Sequence, residues 1–158
     1  MQLVVADTGP INYLILIDEI KIVPLLYDRV FIPSRVSEEL RQAGAAVTVR
    51  AWIAAPPAWL QVASPTSRGD TNLDRLDPGE RDAILLAEEL RADKLLIDEA
   101  PAWRKASRRG FPVTGTLGVL VAGAENGFVD LGAALDRLRQ TNFRISRSIW
   151  DAVGSRRA

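Results

Sequence analysis

Short apolar runs alternate along this chain with longer segments whose apolar positions recur at helical spacing. Gln2 to Ala6 is a Val-rich run that predicts a buried strand. Gly9-Pro10 then opens a helix to about Ile17, with proline tolerated in the first turn. A short helix is predicted over Val23 to Tyr27, and a second strand over Arg29 to Ile32, halted by Pro33. Ser34 reads as the N-cap of a helix carrying Val36, Glu39 and Leu40 toward Gly44. Val47 to Ala55 is helical until Pro56-Pro57 stops it, and Leu60 to Ala63 forms an edge strand. The polar stretch from Ser64 to Arg75 predicts a mobile surface loop. Asp77-Pro78-Gly79-Glu80 is a strong helix start, with Asp as cap, Pro next and Glu in the capping-box position. That helix runs to about Ala92 and is followed by a strand over Lys94 to Ile97. A helix over Ala102 to Arg109 and a strand over Phe111 to Val113 come next. Thr114-Gly115-Thr116 leads into an apolar helix to about Asn126, which Gly127 ends. Asp130 caps a helix through Leu138, and a terminal helix is predicted over Ser146 to Val153.

Strands alternating with helices predict a three-layer α/β/α sandwich with a central parallel sheet. The connections are too short for a second domain, so a single domain over residues 1–158 is expected. With 47% apolar and 25% charged residues, the chain can bury a core without covalent staples. It has no cysteine and no histidine. Their absence excludes disulfides, thiol nucleophiles, Ser-His hydrolases and imidazole-ligated zinc. Hydrolytic chemistry must then run on carboxylates, hydroxyls, lysines or a hard metal bound by oxygen.

Twenty basic and 20 acidic residues leave no net charge to attract nucleic acid globally. Locally, Arg104, Lys105, Arg108 and Arg109 share a helical face by their i, i+4 spacing. Such a stripe is either an RNA-phosphate contact or a solvated helix surface. Trp52, Trp59, Trp103 and Trp150 read mainly as core or interface aromatics. No charged leader segment opens the chain and no apolar run is long enough for a membrane span, so a cytoplasmic location is expected.

Four acids stand at the edges of apolar runs: Asp7, Glu39, Glu80 and Asp98. Asp7 and Asp98 fall where buried parallel strands end, the region in which open α/β sheets gather ligands. Carboxylates collected there repel one another unless a divalent cation neutralises them. In the helix after Gly79, Ala83, Ala87 and Leu90 centre the apolar stripe; Glu80 falls inside it and Asp82 on its far shoulder. Each acid also has a structural reading: Asp7 and Asp98 as caps of following helices, Glu80 as a capping-box carboxylate, Glu39 as solvated surface like Glu38.

Val-Val-Ala-Asp7-Thr8-Gly9-Pro10-Ile11 resembles the opening of PIN-domain nucleases, and Pro33 to Leu40 is similar to their second element. Gly79-Glu80-Arg81-Asp82-Ala83-Ile84 matches the third, and Asp98 follows at close to the family's spacing. Adding Leu95-Leu96-Ile97-Asp98-Glu99 and Val113-Thr114-Gly115-Thr116-Leu117-Gly118 narrows the resemblance to a prokaryotic PIN-like subfamily, of the VapC-type toxin branch. The resemblance implies a magnesium- or manganese-dependent endoribonuclease, the toxin of a type II toxin–antitoxin pair. Asp7, Glu39, Glu80 and Asp98 would be its catalytic metal ligands. Thr8, Asp82, Glu99 and Thr116 are secondary candidates, with Thr8 or Thr116 bonding water or phosphate. It also implies RNA as substrate, a small antitoxin protein as partner, and a homodimer for which the Ile11-Tyr13-Leu14-Ile15 helix is a candidate interface. Trp103 stands where the subfamily more commonly has arginine, with Arg104 adjacent. A catalytically inactive module that binds RNA or protein is the alternative. Phosphatases using Asp7 as nucleophile, receiver-like switches and Rossmann-type binders fit less well, since Gly9-Pro10 follows Asp7 and the first turn has no glycine triplet.

Overall fold

Strands covered by helices on both faces are apolar on both faces, as the buried Val4-Val5-Ala6 run of this chain is. The structure, a computed structural model, describes residues 1–144. In them β1 (Leu3–Ala6), β2 (Arg29–Pro33), β3 (Leu60–Ala63), β4 (Lys94–Leu96) and β5 (Val113–Thr114) form one parallel sheet in the order β3-β2-β1-β4-β5. Successive strand residues point to opposite faces. Val4, Ala6, Val30, Ile32 and Leu96 therefore enter one core, while Val5, Phe31, Leu95 and Ile97 enter the other. The first core is covered by α1 (Thr8–Leu16), α2 (Ile22–Leu26), α3 (Ser34–Arg41), α4 (Val47–Ala54), α7 (Thr116–Glu125) and α8 (Leu131–Arg139). The second is covered by α5 (Pro78–Leu90) and α6 (Ala100–Arg108). This is the expected α/β/α sandwich.

The chain winds outward from β1 to β2 and β3, then returns to the other side of β1 as β4. The border between β1 and β4 is thus the switch point, and a crevice opens beyond the carboxyl ends of its strands. Asp7 directly follows β1, and its N–H donates to the Leu96 carbonyl at 2.9 Å. Asp98 lies just past β4 on the same border.

Several local expectations change. Ser34 is not a cap: Pro33 leaves β2 in extended geometry (φ −62°, ψ 150°), so α3 begins at Ser34 directly. The Ser34 hydroxyl instead accepts from Ser64 at 2.7 Å. The stretch predicted as a mobile polar loop contains a 3-10 turn, Thr71–Leu73, capped by Asp70, and Leu73 is fully buried in the second core. Glu89 of α5 accepts from the Thr66 N–H, the Thr66 hydroxyl and the Ser67 N–H at 2.7, 2.8 and 2.9 Å. One apolar anchor and one shared carboxylate therefore fasten this segment to α5. The helix expected from Ala102 begins at Ala100, with Pro101 in its first turn, and β5 is shorter and later than predicted. The capping box of Asp77 and Glu80 is present. The terminal helix expected over Ser146 to Val153, with Trp150, lies outside the described residues. Among those described, no helix is long and apolar enough to cross a membrane.

Candidate active site

Asp7 occupies the N-cap position of α1, yet its side chain makes no capping hydrogen bond, so the helix does not account for it. Its carboxyl is buried, 6% exposed. Burial pushes its pKa up from 3.8 to about 7; the Thr8 backbone N–H opposes this, and the charges of Glu80, Glu39 and Asp98 add to it. Glu39 sits between Val36 and Leu40 on the inner side of α3 and is half-buried, whereas Glu38 is exposed. It accepts a short hydrogen bond from the Thr8 hydroxyl through Oε2. A β-carbon on Gly79 would stand 2.5 Å from Glu39 Oε1, so this glycine at the start of α5 makes room for the carboxylate.

Glu80 is buried, and its Oε1 accepts from the Asp77 N–H at 3.1 Å, completing the capping box. Burial raises its pKa; the Asp77 N–H lowers it, and the charges of Asp77, Glu99 and Glu39 raise it further. Asp98 does not cap the helix that follows it. It caps α7 from a distance, accepting the Thr116 N–H on Oδ1 and the Thr116 hydroxyl on Oδ2, both at 2.7 Å. Gly115, the N-cap of α7, has no side chain to do so. Burial raises the Asp98 pKa, the Thr116 bonds oppose it, and Glu99 adds to it. β-Carbons on Gly9 and Gly115 would lie 3.0 and 2.7 Å from the Asp98 oxygens.

The four acids line one recess of about 290 Å³ together with Thr8 and the exposed Glu99. Asp82 does not join them: it turns to Arg35 at 3.3 Å and Arg81 at 3.7 Å. Thr116 is fully buried, and both its N–H and its hydroxyl donate to Asp98. In the basic cluster Arg104 and Arg108 are exposed and Lys105 half-buried. Arg109 leaves the stripe, pairing with Glu88 at 3.0 Å and Asp70 at 3.3 Å. Ile11 and Leu14 are fully buried in the first core, so that face of α1 is not a free interface. Trp103 is 37% exposed, and its ring lies 3.3 Å from where a Gly115 β-carbon would stand.

Asn12, Tyr13 and Asp77, none of them a site candidate from the sequence, also line the recess. Asn12 was traceable as one helical turn on from Thr8; the packing roles of Gly9, Gly79 and Gly115 had no signal beyond the residue type.

Oxygen donors without nitrogen or sulfur fit a hard divalent cation in kind. The raised pKa values of Asp7, Glu80 and Asp98 mark charge that a cation would relieve. In position the set is open. Among the described residues no three of His, Cys, Asp and Glu are grouped closely enough to hold a metal ion. Glu39 is turned to Thr8 and Asp98 to Thr116.

The family model described as PIN domain matches residues 3–157. Among solved structures, the fold is similar to a PilT N-terminus domain protein, SSO1118, from the hyperthermophilic archaeon Sulfolobus solfataricus P2. The TM-score is 0.59 and the identity 16%, over 78% of this chain and 95% of that one, a likeness that carries the fold alone. No curated protein matches the chain.

Proposed function

Because the chain belongs to the PIN domain family, generally a metal-dependent nuclease fold, we propose that it is an endoribonuclease working with Mg²⁺ or Mn²⁺. One observation carries the reading: Asp7, Glu39, Glu80 and Asp98, brought from four separate places in the sequence, share one recess at the sheet's switch point. These four would hold the cation only by drawing closer than the open spacing they have in the structure. A bound divalent cation activates water as a nucleophile and neutralises charge on the phosphate and the leaving oxygen. The chain's own part is positional. Asp98 is fixed on both oxygens by Thr116, and Glu80 on one oxygen by the Asp77 N–H. Glu39 accepts the Thr8 hydroxyl on Oε2, which would leave Oε1 for the cation, and Thr8 lines the same recess. Asp7, buried beside the other three acids, would be a cation ligand and orient the attacking water.

The toxin reading extends this proposal. A small antitoxin protein would act by covering the recess, and a homodimer would form through a surface other than the buried face of α1. A second reading, a PIN-like module that binds RNA or protein without cutting, is favoured by the open spacing of the acids.

Calorimetry with Mg²⁺ or Mn²⁺ on the wild type and Asp7→Ala, beside an RNA-cleavage assay with and without EDTA, separates the two. Metal binding lost in the variant, with cleavage that EDTA abolishes, supports the nuclease. A folded protein that binds no metal at millimolar concentration and cuts no RNA sinks it in favour of the binding module.

A further inference from the structure

The acid recess has a basic neighbour that the nuclease reading leaves unused. A wider groove of about 600 Å³ opens between α3, α5 and the segment after β3, with Arg35, Arg68 and Arg81 on its walls. We propose that this groove seats backbone phosphates of single-stranded RNA beside the bond to be cut. The inference rests on the nuclease reading of the acid recess.

Arg35 also lines an intermediate groove with Thr8, Glu39 and Asp77, and those three residues line the acid recess. Arg35 thus stands where the arginine-lined groove adjoins one lined by Glu38, Glu39 and Asp77, and the phosphates are held on the Arg68 and Arg81 side of it.

Asp82 accepts a hydrogen bond from Arg35 of α3 on Oδ2 at 3.3 Å and has Arg81 of α5 at 3.7 Å from Oδ1, so one carboxylate stands between two guanidinium groups from different helices. Arg35 stays 47% exposed and Arg81 29%, leaving donors for an incoming anion. Arg68 is exposed and has no ion pair or hydrogen bond among the described residues. The segment that carries it is fastened to α5 through Glu89 and Leu73. Three arginines face only Asp74 and Asp82, so the groove keeps a positive excess.

The chemistry of the ligand follows. Guanidinium forks match phosphate oxygens in a way that carries no sequence information. A positively charged groove that tracks a backbone is how single strands are held. The recess of about 290 Å³ admits a strand that bends its backbone inward, which a stacked duplex cannot do without unpairing. The stripe on α6 is the weaker candidate because Arg109 is already committed to Glu88 and Asp70.

The test is fluorescence anisotropy of a short labelled single-stranded RNA with the full chain in EDTA, over a salt series. Variants are R35A/R68A and, for comparison, R104A/R108A, with thermal melts to confirm folding. All four arginines are exposed, so neither pair removes core packing. The expected result is weaker binding by R35A/R68A, with the slope of log affinity against log salt shallower by about 0.7 per arginine removed. An unchanged slope and affinity in R35A/R68A, or loss only in R104A/R108A, overturns the groove. Equal capture of a matched duplex, or of a poly-glutamate peptide, overturns its assignment to single-stranded RNA. Failures are separable. Groove-dependent binding without metal-dependent cleavage sinks the nuclease and leaves the groove as a seat for single-stranded RNA with no bond to be cut beside it, whereas cleavage that ignores R35A/R68A overturns the groove and keeps the nuclease.

Discussion

Asp7 sits under an electrostatic load that its position imposes. Its folded-state pKa of about 7 lies above the ordinary 3.8, so the folded protein favours the neutral acid. The stabilisation this gives is complete below about pH 4 and is lost as pH rises through 7, a change on the order of 4 kcal/mol. Asp7→Asn cannot ionise. Its melting temperature is expected to exceed the wild type's at pH 8 and to approach it at pH 4, read by thermal melts across pH. A gain of equal size at every pH would show that burial of charge is not what strains the site. The glycines make a second point at this scale. In Gly79→Ala the new β-carbon would meet Glu39 Oε1 at 2.5 Å, so the carboxylate must move while the helix itself, gaining alanine, is not weakened. The expected outcome is an unchanged or raised melting temperature with metal affinity at least tenfold weaker by calorimetry.

At the scale of elements, the segment between β3 and α5 departs most from its sequence pattern. Its composition is that of a surface loop, yet Leu73 is driven into the second core beside Ile84 and Leu85, and Glu89 gathers Thr66 and Ser67. Gly69, at φ +74°, supplies the left-handed backbone this fold-back needs, and a β-carbon there would strike Leu85 at 2.6 Å. Leu73→Ala should cost about 2–5 kcal/mol, as for other buried leucines, measured by urea unfolding. A cost under about 0.5 kcal/mol would mean that the segment is not anchored by its core contact. The helix ends show a related effect. Asp98 satisfies the first N–H of α7 rather than of its own following helix, because α7 starts at Gly115-Thr116, which offers the backbone no other acceptor.

For the whole molecule, topology places the chemistry. The outward-then-return winding puts β1 beside β4, and with it two acids that are more than 90 residues apart in sequence are brought to one crevice. α3 and α5, which lie on opposite faces of the sheet, bring Glu39 and Glu80 to the same recess. The balanced net charge is distributed rather than uniform: carboxylates fill the recess and arginines flank it. The single positively charged stripe that sequence spacing suggests on α6 is broken in space, since Arg109 belongs to a tie between α5, α6 and the anchored segment.

The sequence by itself determined the layers. Apolar runs, Pro and Gly punctuation and the Asp77–Glu80 start are local signals, and local sterics and capping suffice to read them as strands and helices of an α/β sandwich. It also marked Asp7, Glu39, Glu80 and Asp98, because an acid at the edge of an apolar run is conspicuous without coordinates. Only the tertiary structure decided how each acid is held. Asp82 and Glu80 are two residues apart, yet one meets arginines and the other enters the recess, since helical rotation sends them to different neighbours. Thr116 became a buried tether, Leu73 a core residue and the Ile11 face of α1 an interior surface for the same reason. Burial and partner choice depend on which distant segments pack together, and no local pattern encodes that.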